Sequence, residues 1–96
     1  MILSIIVPTY NEEKTIIKIL EKIKNNSSDF FKYEVIVIDD ASTDQSSKLL
    51  EDNKHLYDKL LINETNKGKG FSVKRGISSA SGTHVIFQDA DLEYNP

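Results

Sequence analysis

Short runs of apolar, mostly β-branched residues recur along the chain and constrain its fold more than any other feature. They predict strands over residues 3–7, 33–38, 59–62 and 83–88. The first run is apolar on both faces, which is typical of a parallel strand covered by helices, and residues 85–87 have the apolar character of a buried strand. Pro8 is expected to end the first strand, because proline cannot donate to a central ladder.

Apolar residues at helical spacing lie between the predicted strands. Asn11 is expected to cap the first helix, with Glu12 in its first turn. Residues 42–45 match a capping box and are expected to open the second helix. The apolar face predicted for the third helix consists of Val73, Ile77 and Ala80.

The resulting βαβαβαβ order predicts an α/β fold with a doubly wound, mostly parallel sheet and helices on both faces. Crossovers between parallel strands are right-handed in roughly 98% of cases, and the doubly wound order expected here is 3-2-1-4. Strands one and four then lie side by side where the winding reverses. Ligands bind at that point, outside the carboxyl ends of the strands. The length of 96 residues allows a single domain, residues 1–96.

Composition excludes several classes of function. The net charge of −3 gives no general nucleic-acid footprint. The chain has no cysteine, which excludes disulfides, thiolate metal sites and a cysteine nucleophile, and which fits a cytosolic protein. Residues 1–8 are apolar but lack a basic region and a small-residue cleavage site, so a signal peptide is not expected. No run approaches the ~20 apolar residues of a membrane span.

Polar or acidic clusters follow three of the predicted strands. They comprise residues 9–12, the pair Asp39 and Asp40, and the pair Asp89 and Asp91. Because parallel strands present their carboxyl ends at one edge of the sheet, these clusters are expected to converge there. This coincidence predicts a binding site, and it depends on the assumed strand order.

Asp89 and Asp91 are spaced i, i+2 and therefore share a face of extended chain, roughly 7 Å apart. Two like charges on one face repel unless a cation lies between them. Hard carboxylate oxygens suit Mg²⁺ or Mn²⁺. An isolated pair of this kind is more often a solvated turn, so the metal prediction depends on the convergence of the three clusters.

Two further groups of residues admit alternative interpretations. Asp39 and Asp40 offer carboxylates to an N–H of a base or to a ribose, but the pair also fits a plain strand-to-helix turn. Lys67 and Lys69 lie near the start of the third helix, where cations are unfavourable unless an anion such as a diphosphate also binds. The alternative is that both lysines are solvated. The glycines of this segment do not form a dinucleotide fingerprint, because Val73 occupies the third glycine position.

Four blocks of the sequence resemble inverting family-two glycosyltransferases. They are residues 6–12 (IVPTYNE), 37–44 (VIDDASTD), 66–70 (NKGKG) and 88–91 (QDAD). The likeness is greatest to polyprenol-phosphate mannosyl- and glucosyltransferases of the dolichol-phosphate type, and it covers essentially the whole chain. It implies that the chain is the nucleotide-binding half of a GT-A fold.

The resemblance also implies roles for individual residues. Those implied to bind a nucleotide-sugar donor, linked to UDP or GDP, are Pro8, Tyr10, Asn11, Glu12, Asp39, Asp40, Lys67, Gly68, Lys69, Gly70 and Ala90. Asp89 and Asp91 are implied to hold Mg²⁺ or Mn²⁺ on the diphosphate of the donor. The implied acceptor is a polyprenyl phosphate or a saccharide, and the implied location is the cytoplasm, with peripheral contact to the cytoplasmic face of a membrane.

The same resemblance places the acceptor site and any general base beyond Pro96, the last residue of the chain. We therefore expect the 96-residue chain to lack transferase activity by itself. We also expect it to self-associate, because the fourth strand leaves an exposed sheet edge.

Three alternatives compete with this interpretation. The first is a non-catalytic module that binds nucleotide and metal. The second is a receiver-type signalling domain, which is less favoured because its acidic pair should follow strand one rather than strand two. The third is a sugar nucleotidyltransferase, which is weaker because strand one is not followed by a glycine-rich, basic loop.

Overall fold

The structure is a computed structural model that describes residues 1–26 and 32–90. Its strands are β1 (Ile2–Thr9), β2 (Lys32–Asp39), β3 (Lys59–Ile62) and β4 (His84–Phe87). Its helices are α1 (Ile16–Asn25), α2 (Ser46–Asp52) and α3 (Lys69–Ser79), with a 3₁₀ turn at Lys54–Leu56. Each of these helices is too short or too polar to cross a bilayer.

The four strands form one parallel sheet in the order β3-β2-β1-β4. Ile6 of β1 is in register with Ile36 of β2 on one side and with Phe87 of β4 on the other. The predicted strand order is therefore confirmed. Since β1 lies between β2 and β4, the carboxyl ends of these three strands share one edge of the sheet.

The sheet is covered by helices on both faces, as predicted. Alternate residues of a strand point to opposite faces. Ile5 and Val7 of β1 pack with residues of α1 and α2, whereas Ile6 belongs to the cluster on the opposite face, under α3. The side chains that are fully buried from solvent include Ile6, Ile16, Leu20, Ile36, Ile38 and Leu50.

Helix α3 approaches the sheet through small residues. Its buried residues are Ser72 and Gly76, and a Cβ at Gly76 would lie 2.7 Å from Cγ2 of Ile6 and 2.8 Å from Cδ1 of Ile38. Of the apolar face predicted for this helix, Ala80 packs against the core, whereas Ile77 is 45% exposed. For Ile77 the prediction was wrong because it assigned the face by hydrophobicity, whereas the close approach requires small side chains.

Two expectations about the strands are corrected. Strand β1 continues through Pro8 to Thr9, and Pro8 is in register with Ile38. The carbonyl of Ile6 accepts from the N–H of Gln88, at the end of the ladder between β1 and β4. The backbone nitrogen of Pro8, two residues further along, also faces β4 but lies beyond this ladder. The missing N–H of Pro8 therefore removes no ladder bond. Residues 85–87 are 36–55% exposed rather than buried, because β4 is an edge strand of the sheet that residues 1–26 and 32–90 form.

Candidate functional site

A cleft of about 180 Å³ opens at the carboxyl ends of β1, β2 and β4. Its walls are formed by Pro8, Thr9, Tyr10, Glu12, Asp40, Lys69, Ser72, Asp89 and Ala90. Seven of these residues were assigned to a donor or metal site from the sequence; Thr9 belongs to the predicted cluster of residues 9–12 without an assigned role, and Ser72 is an addition. The three polar clusters that are far apart in the chain therefore do meet at one edge of the sheet.

Asp40 is the buried acid of this cleft, with only 5% of its surface exposed. Its Oδ1 accepts from Nδ2 of Asn63 at 2.9 Å and from the N–H of Lys67 at 2.7 Å, and its Oδ2 accepts from the N–H of Gly68 at 2.9 Å. Burial would raise the pKa of this carboxyl, but these hydrogen bonds outweigh it and hold the pKa below its usual value. Asp40 is thus ionised at neutral pH and ties the loop before α3 to the end of β2.

Asp39 has a different role from its neighbour. It is completely buried, and its Oδ1 accepts from the N–H of Ser42 at 3.1 Å and from the hydroxyl of Ser42 at 2.5 Å. Its Oδ2 accepts from the hydroxyl of Ser47. The carboxylate of Asp39 therefore faces the segment that leads into α2, and Asp39 is not among the residues that line the cleft.

Asn11 joins the loops that follow β1 and β2. It adopts a positive φ of 51° and accepts at Oδ1 from the N–H of Thr43 at 2.7 Å and from the N–H of Asp44 at 3.2 Å. Its own N–H donates to the hydroxyl of Ser42 at 3.0 Å. The expected cap of α1 is therefore wrong, since Thr15 precedes that helix, and Asn11 instead satisfies the loop before α2.

The same loops are held by a reciprocal pair of acids. Asp44 accepts from the N–H of Glu13 at 3.2 Å and from the N–H of Ser46 at 2.8 Å, while Oε1 of Glu13 accepts from the N–H of Gln45 at 2.9 Å. Burial raises the pKa of Asp44, but the hydrogen bonds from Ser46 and Glu13 lower the pKa by more than burial raises it, so the net shift is downward. The capping box predicted over residues 42–45 is not formed, because Gln45 precedes α2 and the acids bind across the loops.

Ala90 and Glu12 border the cleft on the side of α1. Ala90 is 3% exposed, and its carbonyl accepts from the hydroxyl of Thr15 at 2.7 Å. Oε2 of Glu12 lies 3.5 Å from the oxygen of the same hydroxyl. Thr15 therefore fixes the chain that follows β4 against the loop after β1.

The lysines of the predicted anion site divide between two positions. Nζ of Lys69, in the first turn of α3, forms an ion pair with Asp89 at the rim of the cleft, and both side chains are more than half exposed. Nζ of Lys67 lies 5.8 Å from the centre of the Phe71 ring, outside the cleft lining. Only the backbone of Lys67 reaches Asp40.

The glycines of this loop also differ from each other. Gly68, which directly precedes α3, has a φ of +92°. Residues other than glycine rarely adopt this backbone conformation. Gly70 lies within α3, and a Cβ there would meet no atom within 4 Å. Gly68 is therefore required by the turn that presents its N–H to Asp40, whereas Gly70 is not.

The predicted metal pair is only partly covered by the structure. Asp89 lies at the cleft, but Asp91 falls outside the described residues. Within residues 1–26 and 32–90, no three His, Asp or Glu side chains come together as a metal-binding group. The metal assignment remains a prediction.

The expected general base is not tested by this structure. The resemblance placed it beyond Pro96, and Pro96 itself lies outside the described residues, which end at Ala90. The catalytic residue therefore stays unassigned, and its position after Pro96 stays a prediction.

Sequence reasoning missed Asn63, Ser72 and Thr15, which hold the walls of the cleft. Asn63 directly follows β3, at the same edge of the sheet as the predicted clusters, so its position carried a signal. Ser72 and Thr15 are small polar residues of helical segments and carried none. Their importance depends on which side chains the fold brings beside them.

Comparison with known proteins identifies the family. The model of Glycosyl transferase family 2 matches residues 4–96. The chain belongs to this family. This confirms the resemblance drawn from the four sequence blocks, and the parallel sheet in the order 3-2-1-4 is that of the GT-A fold.

Three similar proteins illustrate the relationship. Dolichyl-phosphate beta-glucosyltransferase of Mus musculus is 40% identical over 100 residues, covering 93% of this chain and 31% of that protein. S. aureus TarS 1-349 in complex with UDP-GlcNAc superimposes with a TM-score of 0.83 at 35% identity, covering 95% of this chain and 27% of TarS. Mannosyltransferase PcManGT from Pyrobaculum calidifontis, in complex with GDP-Man and Mn²⁺, gives a TM-score of 0.77 at 32% identity, covering 93% of this chain and 27% of that protein. The chain thus spans less than a third of the length of these proteins.

Proposed function

We propose that this glycosyltransferase family 2 chain forms the donor site of an inverting, metal-dependent glycosyltransferase. The site would take a sugar linked to UDP or GDP and pass it to a polyprenyl phosphate or a saccharide. The observation that carries the proposal is the convergence of Pro8, Tyr10, Glu12, Asp40, Lys69, Asp89 and Ala90 on one cleft. Solved relatives with UDP-GlcNAc and with GDP-Man support a nucleotide-sugar as the ligand.

The inner part of the cleft suits the base and ribose. Asp40 is ionised there, and a carboxylate accepts hydrogen bonds from N–H and O–H groups. The three bonds that Asp40 already makes leave acceptor capacity on Oδ2, which accepts only from Gly68. Tyr10 is 43% exposed at the cleft wall, where its ring can stack on a base. Asn11, Asp39 and Gly70 do not line the cleft, so we propose that Asn11 and Asp39 act through the loops that they hold.

The outer rim suits a diphosphate with a divalent cation. Asp89 offers carboxylate oxygens that are hard ligands for Mg²⁺ or Mn²⁺, and its side chain is 57% exposed. Asp91, water and the diphosphate itself would complete the coordination. Lys69 lies beside Asp89 at the N-terminus of α3, where an anion is favoured. The cation, when bound, would neutralise charge that develops on the departing nucleoside diphosphate.

The transfer step that fits this site is a single displacement at the anomeric carbon. A polyprenyl phosphate would attack with its own charged oxygen, whereas a sugar hydroxyl would need a general base, which we place beyond Pro96. The name of the mouse relative supports the lipid phosphate. The proposed location is the cytoplasm, at a membrane surface when the acceptor is a lipid. The volume of about 180 Å³ is below the roughly 300–1,000 Å³ of complete small-molecule sites, so the described residues would enclose only part of the ligand.

The proposal is tested by calorimetric titration of the purified protein with UDP- and GDP-sugars, with and without Mn²⁺. We expect one class of donor to bind, more tightly with Mn²⁺. Asp89→Asn is expected to remove the gain from Mn²⁺, because it removes a ligand charge. Asp52→Asn, an exposed acid at the end of α2, is the matched control and should retain it.

The catalytic part of the proposal has its own test. Residues 1–96 alone should bind the donor but transfer no sugar. Sugar transfer by this chain alone would contradict that expectation. Absence of any donor binding in the purified protein, with or without Mn²⁺, would overturn the donor site itself. Binding without transfer by the native protein, as opposed to residues 1–96 alone, in the presence of lipid and saccharide acceptors would favour the non-catalytic module.

A further inference from the structure

Asn63 is a buried amide that the proposed donor site does not yet use. It is 4% exposed and directly follows β3. Its Nδ2 donates to Oδ1 of Asp40 and to Oγ of Ser72, each at 2.9 Å. Its backbone N–H donates to the carbonyl of Asp39 at 2.9 Å. Asn63 is thus held by backbone and side chain at the end of β2, directly behind the acid of the cleft.

Arg75 determines which end of this amide faces Asp40. Nη1 of Arg75 donates to Oδ1 of Asn63 at 2.9 Å and to the carbonyl of Ile62 at 2.8 Å. An asparagine amide has one accepting oxygen and one donating nitrogen. Since the guanidinium can only donate, the oxygen must face Arg75 and the nitrogen must face Asp40. A flipped amide would place its oxygen against the carboxylate.

The position of Arg75 follows from the packing of α3. Ser72 and Arg75 are three residues apart on this helix and therefore lie on neighbouring positions of its surface. The close contact of Gly76 with Ile6 and Ile38 sets the distance of the helix from the sheet. That distance allows both side chains to reach Asn63.

The orientation of the Asn63 amide also affects the loop before α3, because both contact Asp40. With Nδ2 of Asn63 fixed, the carboxylate accepts the N–H groups of Lys67 and Gly68 at 2.7 and 2.9 Å. Gly68 has a φ of +92°, which glycine adopts without strain, so the turn can present both N–H groups to Asp40. The order of contacts is Arg75, Asn63, Asp40 and then the turn at residues 67–68.

We propose that Asn63 is a positioning residue of the donor site, which holds the Asp40 carboxylate and the turn at residues 67–68 in the geometry that binds the nucleotide. Arg75 sets the orientation of its amide. The inference rests on the proposed donor site. It adds to that proposal a residue that lies outside the cleft lining and acts on the ligand through Asp40.

The first test is Asn63→Asp, which keeps the shape of the side chain and the acceptor for Arg75. It replaces the donor that faces Asp40 by a second carboxylate oxygen, so the two acids repel. We expect the amide-proton NMR signals of Lys67 and Gly68 to shift, because they report the bonds to Asp40. We expect affinity for the nucleotide-sugar to fall about tenfold or more, since a buried polar contact is lost.

The second test uses Arg75→Gln, which leaves Asn63 and Asp40 unchanged and avoids two buried acids in contact. Lys74→Gln is its matched control, since it removes one positive charge from an adjacent, exposed position of the same helix. We expect Arg75→Gln to shift both amide signals and to weaken donor binding several-fold. We expect Lys74→Gln to do neither. Thermal unfolding of each variant shows whether it is folded.

The outcomes separate this inference from the donor-site proposal. Shifted signals and weakened binding in Asn63→Asp and Arg75→Gln, but not in Lys74→Gln, support the positioning role. Wild-type affinity in folded Asn63→Asp or Arg75→Gln overturns it, even if the signals shift. Equal weakening by Arg75→Gln and Lys74→Gln also overturns the role of Arg75, since only charge would then matter. If the wild-type protein binds no nucleotide-sugar, the donor site fails, and the amide signals then show separately whether Asn63 holds Asp40.

Discussion

Glu34 shows how a single carboxylate is held at the end of the sheet opposite the cleft. Its Oε1 accepts from the hydroxyl of Ser4 at 2.7 Å and from the N–H of Ser81 at 2.9 Å, and its Oε2 accepts from the hydroxyl of Ser81 at 2.7 Å. Nζ of Lys59 lies 3.4 Å from the same carboxylate. Burial raises the pKa of Glu34, but the bonds from Ser81 and Ser4 and the charge of Lys59 outweigh it and lower the pKa to about 2.

The depressed pKa of Glu34 predicts how stability depends on pH. The carboxyl titrates near 4.5 when unfolded and near 2 when folded, so its contribution is present above about pH 4.5 and is lost as the pH falls toward 2. We expect a loss of roughly 3 kcal/mol from this group over that range. Urea unfolding between pH 6 and pH 2 measures it.

The control for the pH prediction is Glu34→Gln, which has no charge to titrate. At neutral pH this variant should be less stable than the wild-type protein, because an amide nitrogen replaces one acceptor facing Ser81 or Ser4. Its stability should fall less steeply below pH 4.5. Parallel pH curves for the two proteins would show that Glu34 does not contribute in this way.

At the scale of elements, α3 is the helix that connects the core to the site. Its small residues allow the close approach to Ile6 and Ile38, and its first turn carries Lys69 to the cleft rim. Gly68 is the last residue of the preceding loop, and its N–H donates a hydrogen bond to Asp40. The position of the loop therefore depends on how closely the helix packs against the sheet.

Gly76→Ala is expected to destabilise the protein by about 1 kcal/mol. A new Cβ 2.7 Å from Cγ2 of Ile6 overpacks the interface, which typically costs about 1–3 kcal/mol. Replacing glycine by alanine within a helix stabilises the helix by up to roughly 1 kcal/mol. The cost of overpacking therefore outweighs this gain. Urea denaturation at neutral pH measures the difference.

The matched control is Gly70→Ala in the same helix, where a Cβ meets no atom within 4 Å. It should leave stability unchanged or raise it slightly, because only the helix preference acts. If Gly76→Ala were as stable as Gly70→Ala, the close approach would not be what fixes α3.

At the scale of the whole molecule, the edge strand β4 exposes apolar side chains. The exposed fractions of Val85, Ile86 and Phe87 are 36%, 45% and 55%. β4 follows β1 in the strand order and ends beside the cleft. An edge of unpaired backbone groups with exposed apolar side chains is a template for pairing with another chain.

We therefore predict that residues 1–96 self-associate through β4. Ile86→Lys should shift the protein toward monomer, because a charge on an edge strand opposes pairing. Sedimentation velocity over a range of concentrations measures the change. Ile62→Lys is the control at the other edge, where Ile62 of β3 is 47% exposed. A monomeric wild-type chain at high concentration, or equal dissociation by both variants, would contradict this assignment.

The sequence predicted the strand order and the convergence of polar residues at one edge of the sheet. Pro8 and Ala90, which also line the cleft, came from the family resemblance, and the donor and metal roles of the cleft residues stay predictions. The strand order is confirmed because it depends on local patterns: apolar runs, helical spacing and polar residues at strand ends. The handedness of crossovers then leaves few arrangements. The convergence of Tyr10, Asp40 and Asp89 follows from these rules without knowledge of any side-chain contact.

Tertiary structure alone decided what each of these side chains binds. Asp39 and Asp40 are adjacent in the sequence, yet Asp39 holds the segment before α2 and Asp40 holds the turn before α3, since successive residues at a strand end point to opposite faces. Asn11 bonds to Thr43, and Asn63 is oriented by Arg75. The partners of Asp40, Asn11 and Asn63 lie 12 or more residues away in the sequence, so their pairing depends on how the helices pack on the sheet, which no local pattern encodes.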